Sequence, residues 1–301
     1  MSERESTQRE RGATTAARPE GRGPGRGEER AIGEPLVVGA VAYTPNVVPI
    51  WEGIREYFRD SPAAMDFVLF SNYGRQVDAL IAGHIDLAWN TNLAWVRTVL
   101  QTGGRCRALA MRDTDLAFST VFVARAGSGL RRPLDLKGRR LALGSRDSAQ
   151  AAILPLYYLR REGVADSDLD LIRIDTDLGK HGDTGRSELD AIRLVLDGDA
   201  DVAAIGNTTW DAIGRDELMP ESLQPVWTSP TYCHCNVTAL ETPPEHRSEP
   251  WVRHLLAMDW EIPEHRRILE LEGLRRWVHP NLDGYATLFE AVAEQGIPAR
   301  W

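Results

Sequence analysis

Two short stretches hold the side chains best suited to chemistry. Thr231–Asn236 reads TYCHCN. In an extended chain alternate residues point the same way, so Cys233 and Cys235 are expected on one face with His234 opposed. Two thiolates on one face suit zinc, iron or copper once a histidine or carboxylate completes the shell. Cys233, Cys235 and His234 are therefore candidate metal ligands, and a transition metal is the one cofactor the chain suggests. A C-x-C spacing is a weaker signal than paired C-x-x-C motifs, and buried cysteine often only packs. Metal ligation, thiol chemistry and plain packing stay open for this segment. The second stretch is Lys180–Arg186, KHGDTGR. Only Lys137 and Lys180 are lysines among the 35 Lys and Arg residues, so Schiff-base chemistry would have to use one of them.

The elements that must position these residues follow from hydrophobic period. Leu36–Tyr43 reads as a buried strand and Pro49–Arg59 as a helix through Ile50, Ile54, Tyr57 and Phe58. Strand Asp66–Ser71, helix Arg75–Ala82, strand Ile85–Trp89 and helix Leu93–Leu100 continue the alternation, with Cys106 in a core strand Arg105–Met111. A second unit runs through strands Ser119–Arg125 and Arg140–Gly144, a helix Ala149–Arg161 bent or started by Pro155, and strand Leu171–Asp175. Helix Ser187–Leu196 and strand Asp201–Ile205 complete it. Strands Val226–Thr228 and Val237–Leu240 lead to C-terminal helices at Trp251–Met258, His265–Leu271 and Tyr285–Glu294. This βαβ rhythm predicts an α/β fold with mostly parallel sheets and helices on both faces.

Charge narrows the partners. Residues 1–34 balance seven Arg with seven Glu, so the net charge of −9 sits wholly on the body of the chain. An acidic body repels phosphate backbones and argues against nucleic acid, while leaving room for a local anion site. No apolar run of membrane-spanning length occurs. Three cysteines do not suggest a disulfide framework. Residues 1–34 are polar and glycine-rich, and disorder is expected there. They hold no apolar core of a secretory signal, so a cytoplasmic location is expected.

Five segments in order resemble the phosphonate-binding branch of type II periplasmic binding proteins. They are VGAVAYTP (Val38–Pro45), AGHIDLAWNTNLAW (Ala82–Trp95), STVFVAR (Ser119–Arg125), LDLKGRRLALGSRDSAQAAILP (Leu134–Pro155) and DAIRLVLDGDADVAAIGNTTW (Asp190–Trp210). The resemblance implies two lobes joined by two crossing strands, with a ligand between them. Lobe one would be 35–117 plus 231–301, and lobe two 118–230. It places Tyr43 and Thr44 at the end of the first strand against the ligand, and Asn90 and Asn92 at the cleft mouth. Ser119 and Thr120 would open lobe two, and Ser145, Ser148 and Gln150 would hold phosphoryl oxygens at a helix start, where free N–H groups favour anions. The same residues can equally act as caps and turns. Ala149, Gln150 and Ala151 stand where the family has a richer Ser/Thr cluster. Lys180, His181 and Arg186 crowd a loop where it usually has one histidine facing the ligand.

Two functions follow. The first is binding of a small anion bearing phosphate, phosphonate or carboxylate in the interlobe cleft, through the residues just named and Arg186. The second is a biosynthetic enzyme on the same fold, with Cys233, His234, Cys235, Lys180 and His181 as catalytic candidates. Pyrimidine synthases that make the thiamin pyrimidine resemble this fold and carry a cysteine-rich segment, which is precedent for the second. Ile85–Trp95 lacks the lysine and histidine expected of them near the third strand.

Overall fold

The computed structural model describes residues 34–182, 185–215, 220–241 and 245–300. Apart from Glu34, the stretch expected to be disordered lies outside them. The apolar strand β1 (Leu36–Val41) is buried along nearly its whole length, as a central parallel strand should be. It pairs in parallel with β2 (Met65–Phe70) and β3 (Leu87–Asn90). Gly39 permits this packing, because a Cβ there would lie 2.5 Å from Ile85 Cδ1. Helix α1 (Val47–Tyr57) buries Val47, Ile50, Trp51 and Ile54, one stripe of a 3.6-residue period, with Pro49 tolerated in its first turn. Helix α2 (Tyr73–Ile81) is capped by Asn72, which accepts the Arg75 N–H at 2.9 Å. Helix α3 (Asn92–Thr102) ends on Gly103 in the left-handed region.

The first sheet adds β4 (Cys106–Arg112), β10 (Asn236–Leu240) and β11 (Trp277–Val278) in the order β11-β4-β10-β3-β1-β2. The second contains β5 (Thr120–Arg125), β6 (Arg140–Leu143), β7 (Asp170–Arg173), β8 (Val202–Gly206) and β9 (Leu223–Thr228), ordered β7-β6-β8-β5-β9. Most strands of each sheet run one way, but both sheets are mixed. β10 lies antiparallel to β3 and β4, and β5 antiparallel to β8 and β9. The reason is connectivity: β5 and β10 are the strands by which the chain enters a lobe from the hinge. Their first residues therefore lie beside the last residues of their neighbours, at the edge facing the other lobe.

Helix α1, together with α7 (Glu245–Leu256) and α8 (Pro263–Glu272), packs Trp51, Phe58, Trp251 and Leu269 against the first sheet. The second sheet is covered on one face by α4 (Leu154–Arg161) and on the other by α5 (Arg186–Asp197) and α6 (Asn207–Arg215). A further cluster joins the lobes. Trp95 and Val96 of α3 meet Phe118, Ile153, Leu154, Tyr232 and Cys233, closed by Tyr285, Leu288 and Val292 around α9 (Ala286–Glu294). Side chains of this size contribute about 1.5–3 kcal/mol each when fully buried.

The expected helix Ala149–Arg161 divides in two. Ala149–Ile153 forms a wide π turn and α4 begins at Leu154, with Pro155 in its first turn. Proline brings no N–H and fits only where none is required. β11 and α6 have no counterpart in the expected elements. Two residues carry no period, and NTTWDAIGR is a weak helix former held by buried Thr209 and Ile213. Among the described residues no helix is long and apolar enough to cross a membrane.

Candidate functional site

The chain crosses between the sheets at 113–119 and 229–235. Phe118 and Tyr232 tie the crossings by reciprocal backbone bonds of 3.0 and 2.9 Å, and the His234 N–H donates to the Asp115 carbonyl at 3.0 Å. A line of polar side chains, none more than 5% exposed, runs through this hinge into lobe two. Arg112 donates to both Asp115 oxygens, at 2.7 and 2.8 Å, and to the Glu272 carbonyl at 3.0 Å. His234 Nδ1 lies 3.7 Å from Asp115 Oδ1 and 3.0 Å from Cys235 Sγ. Its Nε2 is 3.3 Å from Gln150 Oε1, and its ring stacks on Phe118 at 4.3 Å. The Gln150 amide nitrogen donates to the Gly182 carbonyl at 2.8 Å and to Glu188 at 3.2 Å. Glu188 also accepts the Gly206 N–H at 2.8 Å and faces His181 Nε2 at 3.3 Å.

Glu188 is the decisive group on this side of the molecule. It is a buried carboxylate supplied with a backbone amide, an amide side chain and an imidazole, the donor set an external oxyanion would seek. Burial pushes the His181 imidazole towards neutrality, but Glu188, Asp147 and Asp177 outweigh it and hold its pKa above the ordinary value. Burial pushes the Cys233 thiol up to about 11, with Asp115 adding to the effect, so it is protonated and unreactive at neutral pH.

The expected ligand residues divide sharply. Ser148 is a cap, accepting the Ala151 N–H at 3.0 Å. Ser145 bonds the Ile174 carbonyl and the Asp177 N–H. Thr120 donates to the Gln150 carbonyl at 2.8 Å, beside the Tyr232 hydroxyl. Asn90 bonds Gln76, Thr98 and Thr238, and Asn92 reaches the Cys233 carbonyl. The Ser119 N–H donates to Asn207. Each serves the fold's own connections. Tyr43 lies against Gly182, where a Cβ would be 3.4 Å from its ring, so lobe two's loop closes on it. Thr44 is exposed. Arg186 points outward and pairs loosely with Asp190 at 3.8 Å. Lys180 is half-buried, its N–H bonded to the Asp177 carbonyl.

The Cys-His-Cys expectation needs correction. Residues 233–235 precede β10 and are not strand, and the two cysteines pack in different clusters. Cys233 packs in the cluster joining the lobes and Cys235 in the core of lobe one. Cys233 therefore drops out of the ligand set, and Asp115 takes its place beside His234 and Cys235. The three catalytic candidates of this segment are all at most 4% exposed.

A second feature lies outside those expectations. A cavity of about 430 Å³ opens where α2, α3 and Ala299–Arg300 of one side meet Arg146 and Leu178–Gly179 of lobe two. Arg75, Arg97, Arg146 and Arg300 all line it. Arg97 is 4% exposed, and burial lowers its pKa to about 10 against the opposing pull of Asp147. Arg146 pairs with half-buried Asp175, and exposed Arg300 with exposed Asp78 at 3.0 Å. The lobes touch at its edge, where the Tyr73 N–H that opens α2 donates to the Gly179 carbonyl at 2.7 Å. Arg97 had a sequence signal, a lone charge within the apolar run LAWVRTVL. Asp115 and Glu188 had none, since each reads as an ordinary acid at a helical first turn.

The family described as "ABC transporter, phosphonate, periplasmic substrate-binding protein" matches residues 43–285. The chain belongs to that family. It is 24% identical over 247 residues to the protein named "Probable ABC transporter phosphite binding protein PhnD1" of Prochlorococcus marinus (strain MIT 9301), covering 78% of this chain and 80% of that one. The solved structure of PhnD1 from that organism with methylphosphonate aligns with a TM-score of 0.70 at 21% identity, over 87% of this chain and 98% of the other. A Xanthomonas citri protein solved with ATP gives 0.66 at 17% identity, over 86% and 95%. The periplasmic aliphatic sulphonate binding protein SsuA from Escherichia coli gives 0.59 at 18%, over 87% and 91%. At these identities the structural likeness speaks for the two-lobed fold.

Proposed function

We propose that this protein binds a small oxyanion, of the phosphonate, phosphite or phosphate-ester class, in the arginine-lined cavity at the junction of its lobes. The observation that carries the reading is the gathering of four guanidinium groups from both lobes into one cavity of a chain whose net charge is −9. Guanidinium groups match oxyanions in charge and by paired N–H donors. Buried Arg97 acts where solvent screening is weak, so its charge counts most. Arg300 is held by an exposed ion pair with Asp78, worth about 0–1 kcal/mol, and can turn to a ligand at little cost, while Arg146 is oriented by half-buried Asp175. Ligand bridging Arg97 and Arg146 would draw the lobes together, as a binding component for a transporter requires. The family description and the methylphosphonate held by a relative support this ligand class.

Glu188 speaks against the hinge side as the docking place. An oxyanion beside Gln150 would have to displace a buried carboxylate that already takes the Gln150 and Gly206 donors. Isothermal titration of the full chain with methylphosphonate, phosphite and sulfate tests the proposal. Binding of at least one phosphorus oxyanion is expected, weakened at least fivefold by Arg75→Met and by Arg146→Met. Unchanged affinity in both variants would reject the cavity, and no binding of any anion would reject the function.

A further inference from the structure

Asp115, His234 and Cys235 contribute one oxygen, one nitrogen and one sulfur that all lie within 4.8 Å of one another. Gln150 sets the imidazole's tautomer. Its amide nitrogen is committed to Gly182 and Glu188, so its oxygen faces His234 and accepts the Nε2 proton. That leaves the Nδ1 lone pair directed at Cys235 Sγ, 3.0 Å away, and near Asp115 Oδ1 at 3.7 Å. Ligands around a tetrahedral zinc, at about 2.0–2.3 Å from the ion, stand roughly 3.3–3.7 Å apart, so small shifts would admit an ion between these atoms. Arg112 fixes the carboxylate from behind, and Gln150 fixes the imidazole, the supporting pattern that metal ligands need.

Arg112 lies between two carboxylates, bonded to Asp115 and 3.6 Å from Glu272. Burial restricts the guest, because Asp115 and His234 are fully buried and Cys235 is 4% exposed, which suits a bare ion and no larger substrate. We propose that Asp115, His234 and Cys235 form a hinge site for one divalent transition-metal ion of zinc-like ligand preference. The ion pins the two crossing segments to each other, and through Gln150 it is mechanically linked to the loop that closes on Tyr43.

Cobalt(II) titration of the full chain reads the site directly, because a thiolate bound to cobalt gives a charge-transfer band. One cobalt per chain is expected, with the band displaced by zinc. Cys235→Ser should abolish the band, Cys233→Ser should retain it, and Asp115→Asn should weaken zinc binding at least tenfold. Should Cys235→Ser fail to fold, elemental analysis of zinc retained by the wild type and by Asp115→Asn decides instead. Absence of a band in the wild type, loss of it with Cys233→Ser, or equal zinc in wild type and Asp115→Asn would overturn the proposal. None of these outcomes depends on whether an oxyanion binds in the arginine cavity.

Discussion

The two polar regions at the junction of the lobes handle charge in opposite ways. On the hinge side, donors and acceptors are matched within the chain: Arg112 with Asp115, Gln150 with Gly182 and Glu188, His181 with Glu188. On the α2 side, four arginines line a cavity, with Asp175 beside Arg146, Asp78 beside Arg300 and Asp147 near Arg97. A buried network bonded largely to itself specifies a geometry, whereas a cavity lined by several guanidinium groups offers donors to a ligand. Resemblance of fold therefore does not fix where an anion docks, because one buried carboxylate can take over the donors of an anion site.

The contrast is broken most directly at Arg97. Replacing it with methionine removes a buried cation from the proposed ligand, and loss of a charged hydrogen bond costs about 1.5–3 kcal/mol, roughly 10- to 150-fold in affinity. Calorimetry on folded Arg97→Met measures this, and a change below threefold would erase the distinction. Gln150→Leu should do the reverse. It strips partners from His234, Glu188 and Gly182, a cost of about 1–3 kcal/mol, seen as a fall of about 2–4 °C in Tm per kcal/mol. Anion affinity should stay within about threefold.

A gentler effect should come from His181. Its pKa is raised in the folded state, so the folded chain holds a proton that the unfolded chain releases above the ordinary value of 6.5. That stabilisation is full below pH 6.5 and is lost as pH rises through the folded pKa, at no more than about 1.4 kcal/mol per pH unit. Thermal melts across this range should show the slope, and His181→Gln should flatten it. Smallest of all, Ser148→Ala removes a helix cap worth about 1 kcal/mol and should leave anion affinity unchanged. A large loss of affinity there would move the binding site to the hinge side.

Much of the fold could be read from period alone. All strands but β11, and helices α1–α5, lie where apolar spacing places them, and the resemblance implied the two crossings. The entering strands β5 and β10 run against their neighbours for a reason of chain path that no local pattern encodes. At the site, residue type leaves use open. Ser145, Ser148, Thr120 and Asn90 look like ligand contacts in sequence, yet each is spent on an internal bond. Cys233 and Cys235 were paired by an assumed strand that begins only at Asn236. Arg75, Arg146 and Arg300 gave no signal in an arginine-rich chain, because only tertiary structure brings 75, 146 and 300 to one cavity.

The most direct test is a crystal structure of the full chain grown with methylphosphonate. The phosphonate oxygens are expected to accept hydrogen bonds from Arg97 and Arg146, with Glu188 still bonded to Gln150 and Gly206. Phosphorus between Tyr43, Ser148 and His181, with Glu188 displaced from those donors, would contradict it.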